Sequence, residues 1–315
     1  MMLHIRSFVK GEDEPVWVEV LNAAYKEYEA WWRAVTAEEM LQEEKGPEFD
    51  PQGRFIAELD GKPVGTVHAH VDKMREEKRG FINDFCVIPE FRGRGFEEKL
   101  AELTINELEK RGMNVIQTWT DYERNDRREL LEKYGFKVVR SVSDMEIDLA
   151  NIPSYFEENT QVTIRLLRKN LENDIKSLNW LNNECFKEHP NYRPSTIEET
   201  RHSLLKDTKF KEQEYFFAML NRESVGYIGI GIDEKYNTEK NVKSGFILAI
   251  GVLKPYRRRR IGTRLMLQGL ETLKAEGMTK AMLDVNDFNP TKAHKLYEKV
   301  GFQVVKKYLI YEKQF

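Results

Sequence analysis

The chain contains two copies of one sequence unit, and this internal repeat limits its possible folds more than any other feature. Residues 60–65 read Asp-Gly-Lys-Pro-Val-Gly, and residues 221–226, 161 positions later, read Asn-Arg-Glu-Ser-Val-Gly. A period of this length is too long for a solenoid repeat and matches the size of a globular domain. We therefore predict two similar domains, residues 1–150 and 160–315, joined by the polar stretch 150–161.

Both copies have the same predicted order of secondary structure. A short strand is followed by helical segments, a hairpin, an apolar strand, a long helix and further strands. In the first copy, a helix is predicted from the apolar spacing of Trp17, Val20, Ala24, Tyr28 and Trp31. The long helix is expected to end at Gly112 in the first copy and at Gly277 in the second. This mixture of strands and helices predicts the α/β (α+β) class.

Composition excludes several classes of protein. Hydrophobic residues make up 40% and charged residues 33% of the 315 residues, as in soluble globular chains. No stretch approaches 18 consecutive apolar residues, so we expect no membrane span and no membrane partner. The two cysteines, Cys86 and Cys185, are too few for a disulfide framework or a four-cysteine zinc site. Because residues 1–6 show no secretory signal, we expect a cytoplasmic protein.

The net charge of −3 conceals a difference between the two halves of the chain. Residues 1–158 carry a net charge of −12, and residues 159–315 carry +9. The basic half is the better candidate for binding an anionic ligand, although chance variation on solvated surfaces also produces such a difference.

A basic turn between a strand and a helix is the first candidate for a binding site. In the second copy the turn contains four arginines, residues 257–260, and it matches residues 92–95, Arg-Gly-Arg-Gly, in the first copy. A helix N-terminus offers free N–H groups and a partial positive charge, which together favour phosphate. Taken alone, the arginines are also consistent with a solvated basic cluster or a nucleic-acid patch.

A second motif follows the next strand of the same copy. Residues 289–302 read Asn-Pro-Thr-Lys-Ala-His-Lys-Leu-Tyr-Glu-Lys-Val-Gly-Phe. Together, the two motifs resemble those of the GCN5-related N-acetyltransferase (GNAT) superfamily, and the resemblance covers nearly all of the chain. It implies a tandem two-domain GNAT protein, in which each domain has a mixed, mostly antiparallel central sheet flanked by helices.

The resemblance implies an acetyl-CoA-dependent N-acetyltransferase that transfers an acetyl group to a primary amine by direct attack in a ternary complex. Acetyl-CoA would be the co-substrate, and the amine acceptor would be a small molecule or a peptide. Tyr297 would protonate the departing thiolate, and Asp284 would act as the base. The implied cofactor-binding residues are Ile250, Val252, Arg257, Arg258, Arg259, Arg260, Ile261, Gly262, Thr263 and Asn289.

Each of these assignments has an alternative. Tyr297 would otherwise be a core aromatic, and Asp284 a solvated carboxylate or a partner of Lys280. The alternative function is a non-catalytic CoA-binding or sensor module built from two GNAT domains. We expect no nucleic-acid partner, because the first half of the chain is acidic.

The two copies depart from the family pattern at different positions. In the first copy, Glu97 replaces a small residue of the turn, and Leu131 occupies the position of the tyrosine. A carboxylate beside pyrophosphate is repulsive, so we expect the first domain to be degenerate and non-catalytic. In the second copy, Arg260 replaces a glycine, which costs about 1–2 kcal/mol if that position requires a positive φ.

Three other features carry less weight. His68 and His70 share one face of a strand and could hold a metal. Since no cysteine or carboxylate pattern supports such a site, we expect ordinary surface histidines and no metal. Cys86 is expected to be a buried, inert thiol. The loop 188–194 falls where GNAT domains often build acceptor specificity.

Overall fold

The structure is a computed structural model that describes residues 3–26, 32–153, 161–210 and 212–315. Tyr28 and Trp31 of the predicted first helix lie outside the described residues, as do residues 154–160 of the predicted linker. None of the helices within the described ranges is long and apolar enough to cross a membrane.

Contacts between residues divide the chain into two compact units. Unit 1 comprises Met1–Ser141 with Tyr308–Phe315, and unit 2 comprises Val142–Lys307. The domain ranges that the repeat predicts, 1–150 and 160–315, stay a prediction, and the compact units differ from them near the end of each copy.

Unit 1 is built on a mixed sheet with the strand order β1-β2-β3-β4-β5, in which only the β4–β5 pair is parallel. These strands are β1 (Leu3–Ser7), β2 (Arg54–Leu59), β3 (Lys62–Val71), β4 (Arg79–Val87) and β5 (Val115–Asp121). Its helices are α1 (Glu14–Tyr25), α2 (Ala37–Glu43), α3 (Phe96–Lys110) and α4 (Asn125–Lys133).

Unit 2 repeats this architecture, with the strand order β11-β10-β9-β8-β7 and a parallel β10–β11 pair. These strands are β7 (Thr163–Leu166), β8 (Glu212–Leu220), β9 (Glu223–Ile232), β10 (Ser244–Val252) and β11 (Lys280–Asn286). Its helices are α5 (Glu172–Phe186), α6 (Ile197–Lys206), α7 (Glu234–Lys240), α8 (Ile261–Ala275) and α9 (Ala293–Val300). The predicted fold class, mixed and mostly antiparallel sheets flanked by helices, is confirmed.

Two long strands, β6 (Lys137–Asp148) and β12 (Gln303–Gln314), each begin in one unit and end in the other. Residues 142–148 of β6 pair antiparallel with β11 in unit 2. Residues 308–314 of β12 pair antiparallel with β5 in unit 1. Each unit therefore completes its sheet with a strand segment that the repeat assigns to the other copy.

The hairpins that the repeat predicts are present in both units. Asp60 and Gly61 connect β2 to β3 with φ angles of 50° and 82°, and Asn221 and Arg222 connect β8 to β9 with 50° and 70°. Positive φ at both central residues is the geometry of a type I′ turn, whose twist matches that of the strands it joins. The local sequence thus determines the register of each hairpin.

Apolar helix faces cover both sides of the sheet in unit 2. On one side, Leu265 and Leu270 of α8 are completely buried. On the other side, Leu181 of α5 belongs to the same buried cluster as Tyr227 of β9. As predicted, α8 is followed by Gly277, whose φ of 82° provides the left-handed residue that commonly ends a helix. The result is a rigid support for the turn that begins α8.

Candidate functional site

One cavity in unit 2 collects nearly all of the residues that the sequence implies. It has a volume of about 580 Å³, and both predicted catalytic residues, Asp284 and Tyr297, line it. The lining includes the predicted cofactor-binding residues Ile250, Val252, Arg257, Arg258, Arg260, Ile261, Gly262, Thr263 and Asn289. Arg259 is not among the lining residues given for this cavity, and its guanidinium lies 5.6 Å from the centre of the Tyr256 ring.

The cavity opens where β10 and β11 separate. The two strands pair only over residues 244–246 of β10. Immediately beyond, the pairing of β10 with β9 is interrupted by a β-bulge between Ile247 and Ala249, and a bulge bends the strand that carries it. Residues 249–252 then border the cavity instead of pairing with β11. β10 is therefore splayed away from β11 at the cavity.

The turn before α8 keeps a left-handed geometry without glycine. Arg258 and Arg260 have φ angles of 65° and 63°, and the matching Gly93 and Gly95 of unit 1 have 69° and 84°. The position of Arg260 therefore does require a positive φ, and so does that of Arg258. Each arginine costs about 1–2 kcal/mol relative to an unstrained residue. The second copy thus accepts strain at two positions whose side chains line the cavity.

Arg257 holds the turn in place. Its Nε donates to the carbonyl oxygen of Val252 at 3.0 Å, and its Nη2 donates to that of Cys185 at 3.1 Å. Its Nη1 lies 2.7 Å from a carboxylate oxygen of Glu188. In unit 1, Arg92 makes the two corresponding backbone hydrogen bonds. Because these contacts occupy the guanidinium, we interpret Arg257 as a residue that positions the turn.

Tyr297 lies on α9, and 6% of the residue is exposed. Burial raises the pKa of its hydroxyl, and the negative charge of Asp284 raises it further. The hydroxyl is therefore protonated at neutral pH, as a proton donor must be. The ring also packs near Phe302, with 6.1 Å between ring centres, so Tyr297 belongs to the core as well as to the cavity wall.

Asp284 lies on β11 with its side chain exposed to the cavity. Partial desolvation in the cavity raises the pKa of this exposed carboxyl, although a backbone N–H, His189 and Lys209 act in the opposite direction. The alternative pairing with Lys280 is wrong, because the Lys280 ammonium lies 2.6 Å from Glu146. A carboxylate whose pKa is raised is a stronger base than an ordinary aspartate.

Asn289 forms the start of the segment that leads into α9. Its Oδ1 accepts hydrogen bonds from the backbone N–H of Thr291 at 2.9 Å and from the Thr291 hydroxyl at 2.7 Å. This Asx-turn fixes the side chain at the cavity edge, with the amide nitrogen left as the group able to donate to a ligand.

Several cationic groups in the cavity were missed by the sequence prediction. Lys292, Lys295 and Lys299 line it, and so does His189 from the loop 188–194. Lys295 and Lys299 are four residues apart on one face of α9, and Lys292 immediately precedes the helix with a φ of 56°. That spacing is visible in the sequence and, considered together with the arginine turn, indicates a second positive wall.

In unit 1, two positions that match this site carry large charged side chains, Glu97 in place of Gly262 and Arg127 in place of Ala293. Burial raises the pKa of the Glu97 carboxyl, and its Oε2 is buried without a hydrogen-bond partner among the described residues. Arg127 places its guanidinium 3.2 Å from the centre of the Phe85 ring and donates to the Phe85 carbonyl oxygen at 3.0 Å. In unit 2 the position of Arg127 is held by Ala293, whose small side chain lines the cavity.

Two predictions about unit 1 have different outcomes. The prediction of a surface position for His68 is wrong: only 5% of the residue is exposed, because both faces of β3 are covered. Cys86 is buried as predicted, and burial raises the pKa of its thiol to about 11. A thiol that stays protonated at neutral pH is a poor nucleophile.

Two strands that separate beside a turn leading into a helix are the feature that defines the GNAT fold. The acetyltransferase (GNAT) family matches residues 17–136 and residues 175–302 of this chain. The chain belongs to this family, and its two matched regions make it a tandem GNAT protein.

Solved structures with the same fold match nearly the whole chain. A GCN5-related N-acetyltransferase from Sphaerobacter thermophilus is 21% identical, with a TM-score of 0.73 over 99% of this chain and 95% of that one. A tandem GNAT protein from the clavulanic acid biosynthesis pathway is 13% identical, with a TM-score of 0.73 over 99% and 98%. At these identities, the similarity shows the fold alone.

Sequence relatives match a smaller part of the chain. The mycothiol acetyltransferase of Thermomonospora curvata is 30% identical over 135 residues, which are 42% of this chain and 43% of that protein. The mycothiol acetyltransferase of Streptomyces coelicolor is 29% identical over 136 residues, 42% of each protein. The chain therefore spans less than half the length of these relatives.

Proposed function

We propose that unit 2 is an acetyl-CoA-dependent N-acetyltransferase and that unit 1 keeps the fold without a working site. The observation that carries this proposal is the single cavity that brings Tyr297, Asp284 and the arginine turn together. The family match and the names of the relatives support acetyl transfer. We place the activity in the cytoplasm, where the buried thiols Cys86 and Cys185 stay reduced.

The proposed binding mode follows from the charges around the cavity. Phosphate oxygens of acetyl-CoA bind at the N-terminus of α8, where the backbone N–H groups of residues 261–263 are free of helix partners. The arginine turn and the lysines of α9 surround this point with positive charge. The electrostatic potential of the site and its individual hydrogen-bond donors then both favour the phosphates of acetyl-CoA. The thioester lies toward Asp284 and Tyr297.

The proposed reaction needs three proton transfers. Asp284 accepts a proton from the ammonium form of the acceptor, directly or through one water, and the free amine attacks the thioester carbonyl carbon. A C–N bond forms, the nitrogen of the tetrahedral intermediate loses its second proton to water, and the C–S bond breaks as the intermediate collapses. Tyr297 donates its proton to the departing thiolate sulfur, and solvent exchanges protons with both residues before the next cycle. Backbone N–H groups of the splayed strand stabilise the oxyanion.

The experiment combines binding and turnover on the full chain. Calorimetry with CoA is expected to give one tight site per chain, and release of free thiol from acetyl-CoA is expected with members of a panel of primary amines, including small molecules and peptides. Tight CoA binding without thiol release for any amine would instead support a non-catalytic CoA-binding module. Two equal CoA sites would contradict the assignment of unit 2 as the working copy.

A further inference from the structure

Unit 1 contains a compact group of metal-ligating side chains that the proposed acetyl transfer does not use. One possible ligand atom from each of Asp50, His68 and His70 lies within 4.8 Å of the other two. The two imidazole rings stand edge to face, with 5.1 Å between their centres, because residues two apart on β3 share one face. Asp50 comes from the segment between α2 and β2, which the sequence pattern did not connect with these histidines.

The Asp50 carboxylate is completely buried and held in one orientation. Its Oδ2 accepts from the backbone N–H of Val71 at 2.9 Å and from Nη2 of Arg111 at 2.7 Å, and its Oδ1 accepts from the backbone N–H of Gln52 at 3.2 Å. Two carboxylate oxygens offer about four acceptor sites, so capacity for a further ligand bond remains.

A backbone carbonyl orients the ring of His68. Nε2 of His68 lies 3.1 Å from the carbonyl oxygen of Gln52, which can only accept, so Nε2 carries the proton and Nδ1 carries the lone pair. Metal-binding histidines commonly have one ring nitrogen fixed by a carbonyl in this way.

The neighbouring arginines are each balanced by a carboxylate. Arg54, opposite His68 in the β2–β3 pair, forms a buried ion pair with Glu44. Arg111 is paired with the proposed ligand Asp50, so a metal at this site would share the carboxylate with the guanidinium. Taken together, these two arginines and two carboxylates have no net charge.

The fold does not require polar groups at these positions. In unit 2, the residues matching His68 and His70 are Gly229 and Gly231. A Cβ atom on Gly229 would lie 2.4 Å from the ring of Tyr215, and one on Gly231 would lie 2.9 Å from that of Phe210. The second copy thus fills this space with aromatic rings, whereas the first copy fills it with imidazoles and a carboxylate.

The geometry points to a metal site formed by Asp50, His68 and His70, which binds one divalent first-row transition ion. Two imidazoles and one carboxylate favour Zn²⁺ or Co²⁺ over Mg²⁺ and Ca²⁺, which prefer oxygen ligands. Water completes the coordination of a three-ligand site. The bound ion links β3 to the segment before β2, and unit 1 is therefore expected to be more stable with metal.

The test uses the full chain after treatment with a chelator, titrated with Co²⁺ and separately with Zn²⁺. We expect one equivalent of each ion to bind, with visible d–d absorption from Co²⁺ and a Zn²⁺-dependent rise in Tm. Ring protons of two histidines are expected to show hyperfine shifts with Co²⁺, a measurement that needs no variant.

The matched variants are His70→Gln, which removes a half-buried ligand, and His4→Gln, which removes an exposed histidine of the same unit. His70→Gln is expected to weaken Co²⁺ binding at least about 100-fold, since even an outer-shell partner contributes 10- to 100-fold. His4→Gln is expected to bind as the wild type does. Wild-type protein that binds no stoichiometric Co²⁺, equal binding by His70→Gln, or shifted protons from other histidines would each overturn the proposal.

Discussion

The hydroxyl of Tyr311 donates a hydrogen bond to Glu132 at 3.2 Å, although the two residues are 179 positions apart in the chain. Tyr311 lies on the part of β12 that belongs to unit 1, and none of its surface is exposed. Leu309 on the same strand is buried in the same core. The core of the first unit is therefore completed by side chains that follow the whole second unit in the sequence.

Tyr311→Ala is expected to destabilise unit 1 selectively. Loss of a fully buried aromatic ring leaves a cavity and costs about 3–5 kcal/mol. Hydrogen exchange measured by mass spectrometry is expected to show lost protection in β5 and α4, with β8 and β9 unchanged as the internal control. Tyr311→Phe, which removes only the hydroxyl, is expected to cost about 0.5–1.5 kcal/mol. Equal loss of protection in both units would contradict a role confined to unit 1.

Tyr297→Phe tests the proposed proton donor. The substitution keeps the ring that packs near Phe302 and removes only the hydroxyl, so kcat is expected to fall by about 10²- to 10⁴-fold with little change in CoA affinity. The measurements are single-turnover rates and calorimetry. Wild-type single-turnover rates in the variant would remove Tyr297 from the mechanism.

The titration of Asp284 is expected to set the acid limb of the pH profile of kcat/KM. Desolvation raises its pKa above the usual 3.8, so kcat/KM is expected to rise with pH through a midpoint above that value. Asp284→Asn is expected to abolish this limb and lower the rate.

The stability of Asp284→Asn separates catalysis from folding. A carboxyl whose pKa is raised in the folded state stabilises the fold only when protonated, and this contribution is lost as pH rises. The variant is therefore expected to be no less stable than the wild type at neutral pH. An unchanged acid limb, or clear destabilisation at neutral pH, would contradict the assigned environment.

Gly262→Glu introduces into unit 2 the carboxylate that unit 1 carries at Glu97. The new side chain is expected to occupy the donors of the turn and weaken CoA binding at least about 100-fold, or about 2.7 kcal/mol. Gly262→Gln adds nearly the same bulk without the charge and is expected to lose less affinity. Calorimetry on both variants separates the effect of the charge from that of the bulk. If both variants bind CoA equally, charge repulsion by the carboxylate does not explain the loss of affinity.

Arg260→Gly tests whether CoA binding is the reason that an arginine is kept at this strained position. Removing the left-handed arginine stabilises the folded state by about 1–2 kcal/mol. The greater entropy of glycine in the unfolded chain offsets about 0.4–1 kcal/mol of this gain. The free energy of unfolding is therefore expected to change by no more than about 1 kcal/mol, while CoA affinity falls. Denaturant unfolding and calorimetry measure the two effects. Unchanged affinity would mean that the arginine does not contact the ligand.

The sequence predicted those features that depend on local chemistry. The turn at Asp60-Gly61, the helix ends at Gly112 and Gly277, and the paired motifs around the arginine turn and Tyr297 are readable because neighbouring residues determine them. Most of the predicted site residues consequently line one cavity. Their roles in binding and catalysis stay predictions.

The features that the sequence did not predict depend on contacts between distant segments. Nothing near Asp50 indicates that it meets His68 and His70, because the three ligands are joined only by the folded sheet. The exchange of strand ends was missed for a different reason. The repeat aligns residues 142–148 and 308–314 with each other, and alignment does not reveal which β-strand each will pair with.

The strand exchange also sets an order of events during synthesis. A ribosome completes Val142–Lys307 before it reaches the segment 308–314 that closes the sheet of unit 1. Translation proceeds at about 5–20 residues per second, so the edge of β5 in unit 1 stays unpaired for on the order of ten to thirty seconds. An open edge attracts other strands, so nascent chains are vulnerable to mispairing in this interval. The unit made first is the last to mature.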